Sequence, residues 1–81
     1  MDRLILLTSA NCHLCVEARA AMERVAKRSG VSWREIDVAD DPTAAREYGD
    51  RLPVVLLDGD EHGYWKVEED RLLADLGITG R

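Results

Sequence analysis

The sequence predicts an α/β domain in which a mixed four-stranded sheet is flanked by helices, in the order β-α-β-α-β-β-α. Three observations carry this. A continuous apolar run is followed by a helical stripe and a second β-rich run, which is a β-α-β start. An Asp58-Gly59 pair between two later β-like runs signals a terminal hairpin. The 81 residues suffice for one core, so residues 1–81 are expected to form a single domain.

The elements follow in order. Leu4-Ile5-Leu6-Leu7 is apolar without alternation, as in a strand buried on both faces. Thr8 to Asn11 interrupt it with small and polar residues, and Asn11 is a candidate N-cap. From Cys12 to about Ser29, Leu14, Ala18, Ala21, Met22, Val25 and Ala26 trace one helical stripe. Charged residues occupy the other face, and Gly30 stands where a helix stops. Val31 to Val38 is rich in β-formers and predicts the second strand, although its alternation leaves the face of Trp33 open. Asp40 and Asp41 followed by Pro42 announce a helix, since an acidic cap and proline at the first turn both suit its start. That helix is expected to end near Tyr48. Leu52 to Leu57 predicts the third strand, and Glu61 to Trp65 its return partner, with Gly63 at a bulge. Val67 to Leu76 closes the chain as a helix with Leu72, Leu73 and Leu76 inward.

Cys12 and Cys15 are the two cysteines of the chain, and they stand three apart where strand gives way to helix. Positions i and i+3 share a helix face, within the Cα separation a disulfide needs. Unpaired N–H groups and the dipole at a helix start favour a thiolate. Cys12 is thus placed to attack a disulfide and Cys15, one turn in, to resolve the mixed disulfide. Two other readings stand beside this one. A structural disulfide closing so short a loop would constrain the unfolded chain little. Half of a zinc site, or a ligand pair for an iron–sulfur cluster, is the more serious rival. Besides the cysteines the chain offers His13 and, fifty positions from Cys12, His62.

Composition excludes other classes. Hydrophobic residues make up 46% and charged residues 33%, with a net charge of −5, and no basic stripe suited to nucleic acid or anionic membranes. The run Leu4–Leu7 is too short for a signal h-region, and nothing approaches transmembrane length. A cytoplasmic location is expected, and there a cysteine pair is more often catalytic or metal-binding than structural.

The strand before Cys12-His13-Leu14-Cys15, the element order and Leu52-Pro53-Val54-Val55 together resemble a glutaredoxin of the thioredoxin superfamily. The likeness is nearest to short bacterial glutaredoxin-like proteins, which share the C-x-L-C, D-P, Y-G, P-V-V and H-G-Y-W pattern. It implies a thioredoxin-like fold and a thiol–disulfide oxidoreductase, with Cys12 and Cys15 catalytic. Leu52, Pro53, Asn11 and His13 then border a substrate groove, and the Leu52–Pro53 bond is cis. It implies no bound cofactor and no metal, but an external reductant, either glutathione or a thioredoxin-reductase-type system. The substrate would be a disulfide-containing protein or a small thiol, and the protein a monomer. The rival function is a metal or iron–sulfur binding module, and a third reading is a redox-inert interaction domain.

Two departures bear on glutathione. The family's lysine before the first cysteine is replaced by Ser9. The Gly-Gly-x-Asp stretch after the third strand is replaced by a segment with Asp58, Asp60 and Glu61, whose charges would repel glutathione. Arg34 or Arg51 could supply the missing cation. His13 can favour the Cys12 thiolate when protonated, or simply face solvent, and Leu14 reads as first-turn packing. His62, Tyr64 and Trp65 form either a substrate-facing wall or, more simply, a plain hairpin face.

Overall fold

The computed structural model describes residues 3–77. β1 (Leu4–Thr8), α1 (Leu14–Ser29), β2 (Trp33–Asp37), α2 (Pro42–Tyr48), β3 (Val54–Leu57), β4 (Asp60–Tyr64) and α3 (Glu69–Asp75) follow in the expected order. A 3-10 turn, Val38–Asp40, lies between β2 and α2. The sheet order is β2-β1-β3-β4. β1 runs parallel to β2 and antiparallel to β3, which pairs antiparallel with β4.

The apolar run of β1 is explained by cover on both sides. Leu4 and Leu6 pack with Met22 and Val25 of α1 and Leu72 and Leu73 of α3, and Trp33 joins this side, partly buried. Leu7 packs on the other face with Val38, Ala44 of α2 and Val54. With both faces closed, no position in the strand selects a polar residue until Thr8.

Local chemistry sets the boundaries. α1 ends at Gly30, whose φ of 73° and N–H bond to the Ala26 carbonyl at 2.8 Å make a left-handed cap. β2 is shorter than the Val31–Val38 run, starting at Trp33, and at its end the Asp37 carboxylate accepts the Ala39 N–H at 2.9 Å as the chain turns out of the ladder. Asp41 caps α2 by accepting from Ala44 N–H at 3.1 Å, with Pro42 in the first turn. Asp58 and Gly59, both at positive φ, turn β3 into β4. Val55 and Leu56 of β3 face Gly63 and Glu61, so His62 is an extra residue bulged between them. The return strand stops one residue before Trp65, which lies at φ 69°, and α3 begins at Glu69 rather than Val67.

Register fixes which loops meet. Leu7 stands opposite Val54 and Leu4 opposite Leu57. The cysteine loop after β1 and the Leu52-Pro53 segment before β3 therefore share one end of the sheet. The Asp58-Gly59 turn lies at the other end.

Candidate active site

Cys12 and Cys15 sit in the loop from β1 and in the first turn of α1. Their Cα atoms are 5.3 Å apart and their sulfurs stand at disulfide distance. The helix begins two residues later than the sequence suggested: His13 occupies the cap position and makes no side-chain cap bond. Asn11 is exposed, outside the helix, so it is not the N-cap. The sulfur of Cys12 takes a capping role instead, accepting the Cys15 N–H at 3.1 Å. That N–H also points to the Cys12 carbonyl at 3.3 Å, and Val16 N–H to the His13 carbonyl at 3.3 Å, a tightened entry turn. A sulfur in this place uses one of the orphan donors of a helix start. Cys12 is partly exposed, whereas Cys15 is 0% exposed, so one sulfur faces the surface and the other the core.

A groove of about 340 Å³ opens beside Cys12, bordered by Ser9, His13, Leu14, Gly49, Asp50 and Leu52. It gathers Cys12, His13 and Leu52 of the expected set, while Asn11 and Pro53 are not among its lining residues. Pro53 is buried, follows a cis Leu52–Pro53 bond and accepts the Trp65 N–H at its carbonyl across 2.8 Å. Gly49 and Asp50 carried no chemical signal in the sequence. Their proximity comes from the tertiary path of the chain after α2. Leu14 is 50% exposed instead of packing into the first turn.

Asp58 and Asp60 stand at the end of the sheet away from the cysteines, where Asp60 pairs with Leu57 and Leu57 with Leu4, contrary to the repulsion of glutathione expected from them. Asp58 lies at the far end of the sheet, paired with Arg3 through two bonds of 3.0 Å, which hold its carboxyl below the usual range. Glu61 is bound by Arg51 at 2.9 Å through both guanidinium contacts, which lower its carboxyl likewise. Arg51 also meets Asp50 at 3.1 Å, so its charge is already engaged. Arg34 stands opposite Ile5 in the middle of the β1–β2 ladder.

Beneath the cysteine turn, Thr8 is buried and its hydroxyl donates to Glu35 at 2.8 Å. Arg19, one turn after Cys15, grips the same carboxylate at 2.7 and 2.8 Å. The Arg19 bonds pull the Glu35 carboxyl below its ordinary range; partial burial opposes this and the Thr8 bond reinforces it. This cross-link of β1, β2 and α1 left no mark in local spacing. Among the described residues no group of three or more His, Cys, Asp or Glu could hold a metal ion.

A model of the glutaredoxin-like domain (DUF836) matches residues 3–77. The chain belongs to this glutaredoxin-like family. It is 45% identical over 76 residues to the uncharacterized protein Rv0508 of Mycobacterium tuberculosis, a match spanning 88% of this chain and 78% of that one. The uncharacterized protein Mb0520 of Mycobacterium bovis matches to the same extent. Among solved structures, protein Ne2328 of Nitrosomonas europaea superposes with a TM-score of 0.75 at 27% identity, over 90% of this chain and 88% of that one. A thioredoxin of Halobacterium salinarum superposes with a TM-score of 0.62 at 22% identity, over 99% and 77%, a likeness of fold. The glutaredoxin-like chain thus has the thioredoxin fold, with its cysteine pair at the head of α1. No helix among the described residues is long and apolar enough to cross a membrane.

Proposed function

We propose that this protein is a thiol–disulfide oxidoreductase that reduces protein or small-molecule disulfides through Cys12 and Cys15. The observation that carries the reading is the asymmetry of the pair. Cys12 reaches the surface with an amide N–H aimed at its sulfur, and Cys15 is enclosed. A backbone donor favours the anionic sulfur, which is the nucleophile.

In the reduced protein the Cys12 thiolate attacks one sulfur of the substrate disulfide. The substrate S–S bond breaks, its leaving sulfur departs as thiolate and takes a proton from solvent, and a mixed disulfide remains on Cys12. Cys15 then loses its proton and attacks the Cys12 sulfur, releasing the second substrate thiol. Two electrons have passed to the substrate, and the protein is left as the Cys12–Cys15 disulfide. An external thiol reductant, glutathione or a reductase-linked dithiol, returns it to the dithiol, and no resident cofactor takes part. His13 and Leu52 border the groove from which the substrate approaches, and the Leu52 backbone is the edge with which an extended substrate segment pairs. The protein acts as a monomer in the reducing cytoplasm, where such a pair is used transiently.

The test is trapping. Cys15→Ser should hold a substrate covalently on Cys12, released by dithiothreitol, and Cys12→Ser should hold none. Equal trapping by both variants, or none by either, would overturn the assignment.

A further inference from the structure

Trp65 leaves the β3–β4 hairpin at the cysteine end of the sheet. Its backbone lies at φ 69°, a left-handed conformation uncommon for a bulky residue. Its N–H is fastened to the Pro53 carbonyl at 2.8 Å. Trp65 is 56% exposed, and its indole meets the ring of half-exposed Tyr64 edge to face, with centroids 5.0 Å apart. The chain thus accepts an unfavourable backbone angle at a point tied to the proline loop and presents a large apolar surface there. Such a departure from local preference is characteristic of binding sites.

What Trp65 faces is a cleft of about 350 Å³, within the range of about 300–1,000 Å³ common for ligand pockets. Leu14 lines it together with Trp65, Ala18 and Ala21 of α1 form part of its wall, and Val67 contributes further apolar surface. Leu14 also borders the Cys12 groove, so the cleft and the groove meet at one side chain. The charges around the cleft cancel. Arg24 is bound to Glu69 at 2.7 and 3.1 Å, and Lys66 and Glu17 complete two cations and two carboxylates. A charged group entering the cleft meets no net field of opposite sign, while an uncharged apolar side chain finds Leu14, Trp65 and Val67 to cover it.

We infer that the Leu14–Trp65 cleft receives an uncharged, bulky apolar side chain on an extended segment of a protein disulfide substrate, seated while that substrate's cysteine engages Cys12. The inference rests on the oxidoreductase reading and adds the class of substrate: a protein segment with an apolar residue near its reactive cysteine. Trp65 and Leu14 are then the specificity-determining residues.

The experiment uses symmetrical disulfides of single-cysteine octapeptides, with leucine, serine or glutamate flanking the cysteine. Each is mixed with the pre-reduced full-length protein. One peptide disulfide and one protein dithiol give two peptide thiols and the protein disulfide, followed by acid quench and mass spectrometry. The leucine peptide should react about tenfold faster than the serine and glutamate peptides, equivalent to about 1.4 kcal/mol. That ratio should fall towards one in Trp65→Ala and in Leu14→Ser. Equal rates for leucine and serine peptides with the wild-type protein would overturn the inference, as would an unchanged ratio in both variants. A concentration-dependent dimer lost in Trp65→Ala would also overturn it, by assigning the cleft to a second copy. Wild-type reduction of hydroxyethyl disulfide without peptide preference sinks the docking inference alone, whereas failure on every disulfide sinks the oxidoreductase reading beneath it.

Discussion

The amide of Cys15 donates to the sulfur of Cys12 across 3.1 Å, while the side chain of Cys15 is wholly buried. One residue thus directs a backbone donor at the sulfur of the other cysteine in the bonded pair and keeps its own sulfur away from solvent. The two cysteines differ through their positions at the helix entry, with no charged side chain needed to set them apart.

This asymmetry predicts unequal reactivity. A free thiol has a pKa of about 8.5 and alkylates slowly in mild acid. Reduced Cys12 is expected to react with iodoacetamide faster than such a thiol at pH 6, and Cys15 more slowly than Cys12. Rates measured on Cys15→Ser and Cys12→Ser from pH 4 to 9 check this. A faster Cys15 would reverse the assigned roles.

The clamp of Thr8, Glu35 and Arg19 predicts a pH dependence of stability. Arg19 lowers the Glu35 carboxyl in the folded state, so the folded protein binds its proton less readily than the unfolded chain does. The contribution is therefore present above the ordinary glutamate pKa of about 4.3 and is lost as pH falls through the lowered folded value. Partial exposure of both partners limits it to about 1 kcal/mol. Glu35→Gln should lose that amount in urea melts at pH 7, and the difference should shrink by pH 3. An equal loss at both pH values would mean that packing, and not the ion pair, is what the substitution removes.

Gly30 isolates a conformational effect. At φ 73° its missing Cβ would meet nothing within 4 Å, so no clash contributes to the cost of a side chain. Gly30→Ala should therefore destabilise by roughly 1 kcal/mol from the left-handed backbone alone, and Gly30→Asn by less. Thermal melts of the two variants, compared with the parent, check the order.

How far the sequence could be read depends on whether a feature is local. The double-sided burial of Leu4 to Leu7, the α1 stripe through Ala18, Met22 and Val25, and the Asp41-Pro42 start are all written in adjacent residues. The entry to α1 was misplaced because Asn11 is a good cap by residue type, yet the tight turn brings the Cys12 sulfur to the free donor first. The ion pairs of Glu35 with Arg19, Glu61 with Arg51 and Glu69 with Arg24 join separate elements and have no spacing signature. The misplacement of Asp58 had a usable signal. A strand that starts beside the cysteines at Pro53 must run away from them, so the turn that ends it belongs to the opposite end.

That relocation changes the grounds on which glutathione is expected to be a poor electron donor. Glutathione carries a net negative charge, and its carboxylates call for cations or helix N-termini. Of the expected repulsion from Asp58, Asp60 and Glu61, the first two residues stand at the far end of the sheet and Glu61 is bound by Arg51, so what remains is chiefly a missing attraction. Ser9, His13, Leu14, Gly49 and Leu52 bring no permanent positive charge to the Cys12 groove, and Asp50 adds a carboxylate. Arg51, the adjacent cation in the chain, is held by Glu61 and Asp50. The oxidised protein is therefore expected to be reduced faster by thioredoxin reductase with NADPH than by millimolar glutathione with its own reductase. Ser9→Lys places an ammonium on the groove wall, and one charge a few ångströms from a carboxylate at the surface contributes on the order of 1 kcal/mol. Glutathione turnover should then rise about fivefold and fall back in added salt, with the thioredoxin-reductase rate little altered. Should the wild-type protein already turn over glutathione efficiently below the millimolar range, or Ser9→Lys fail to raise that rate, the groove must bind glutathione through contacts other than charge.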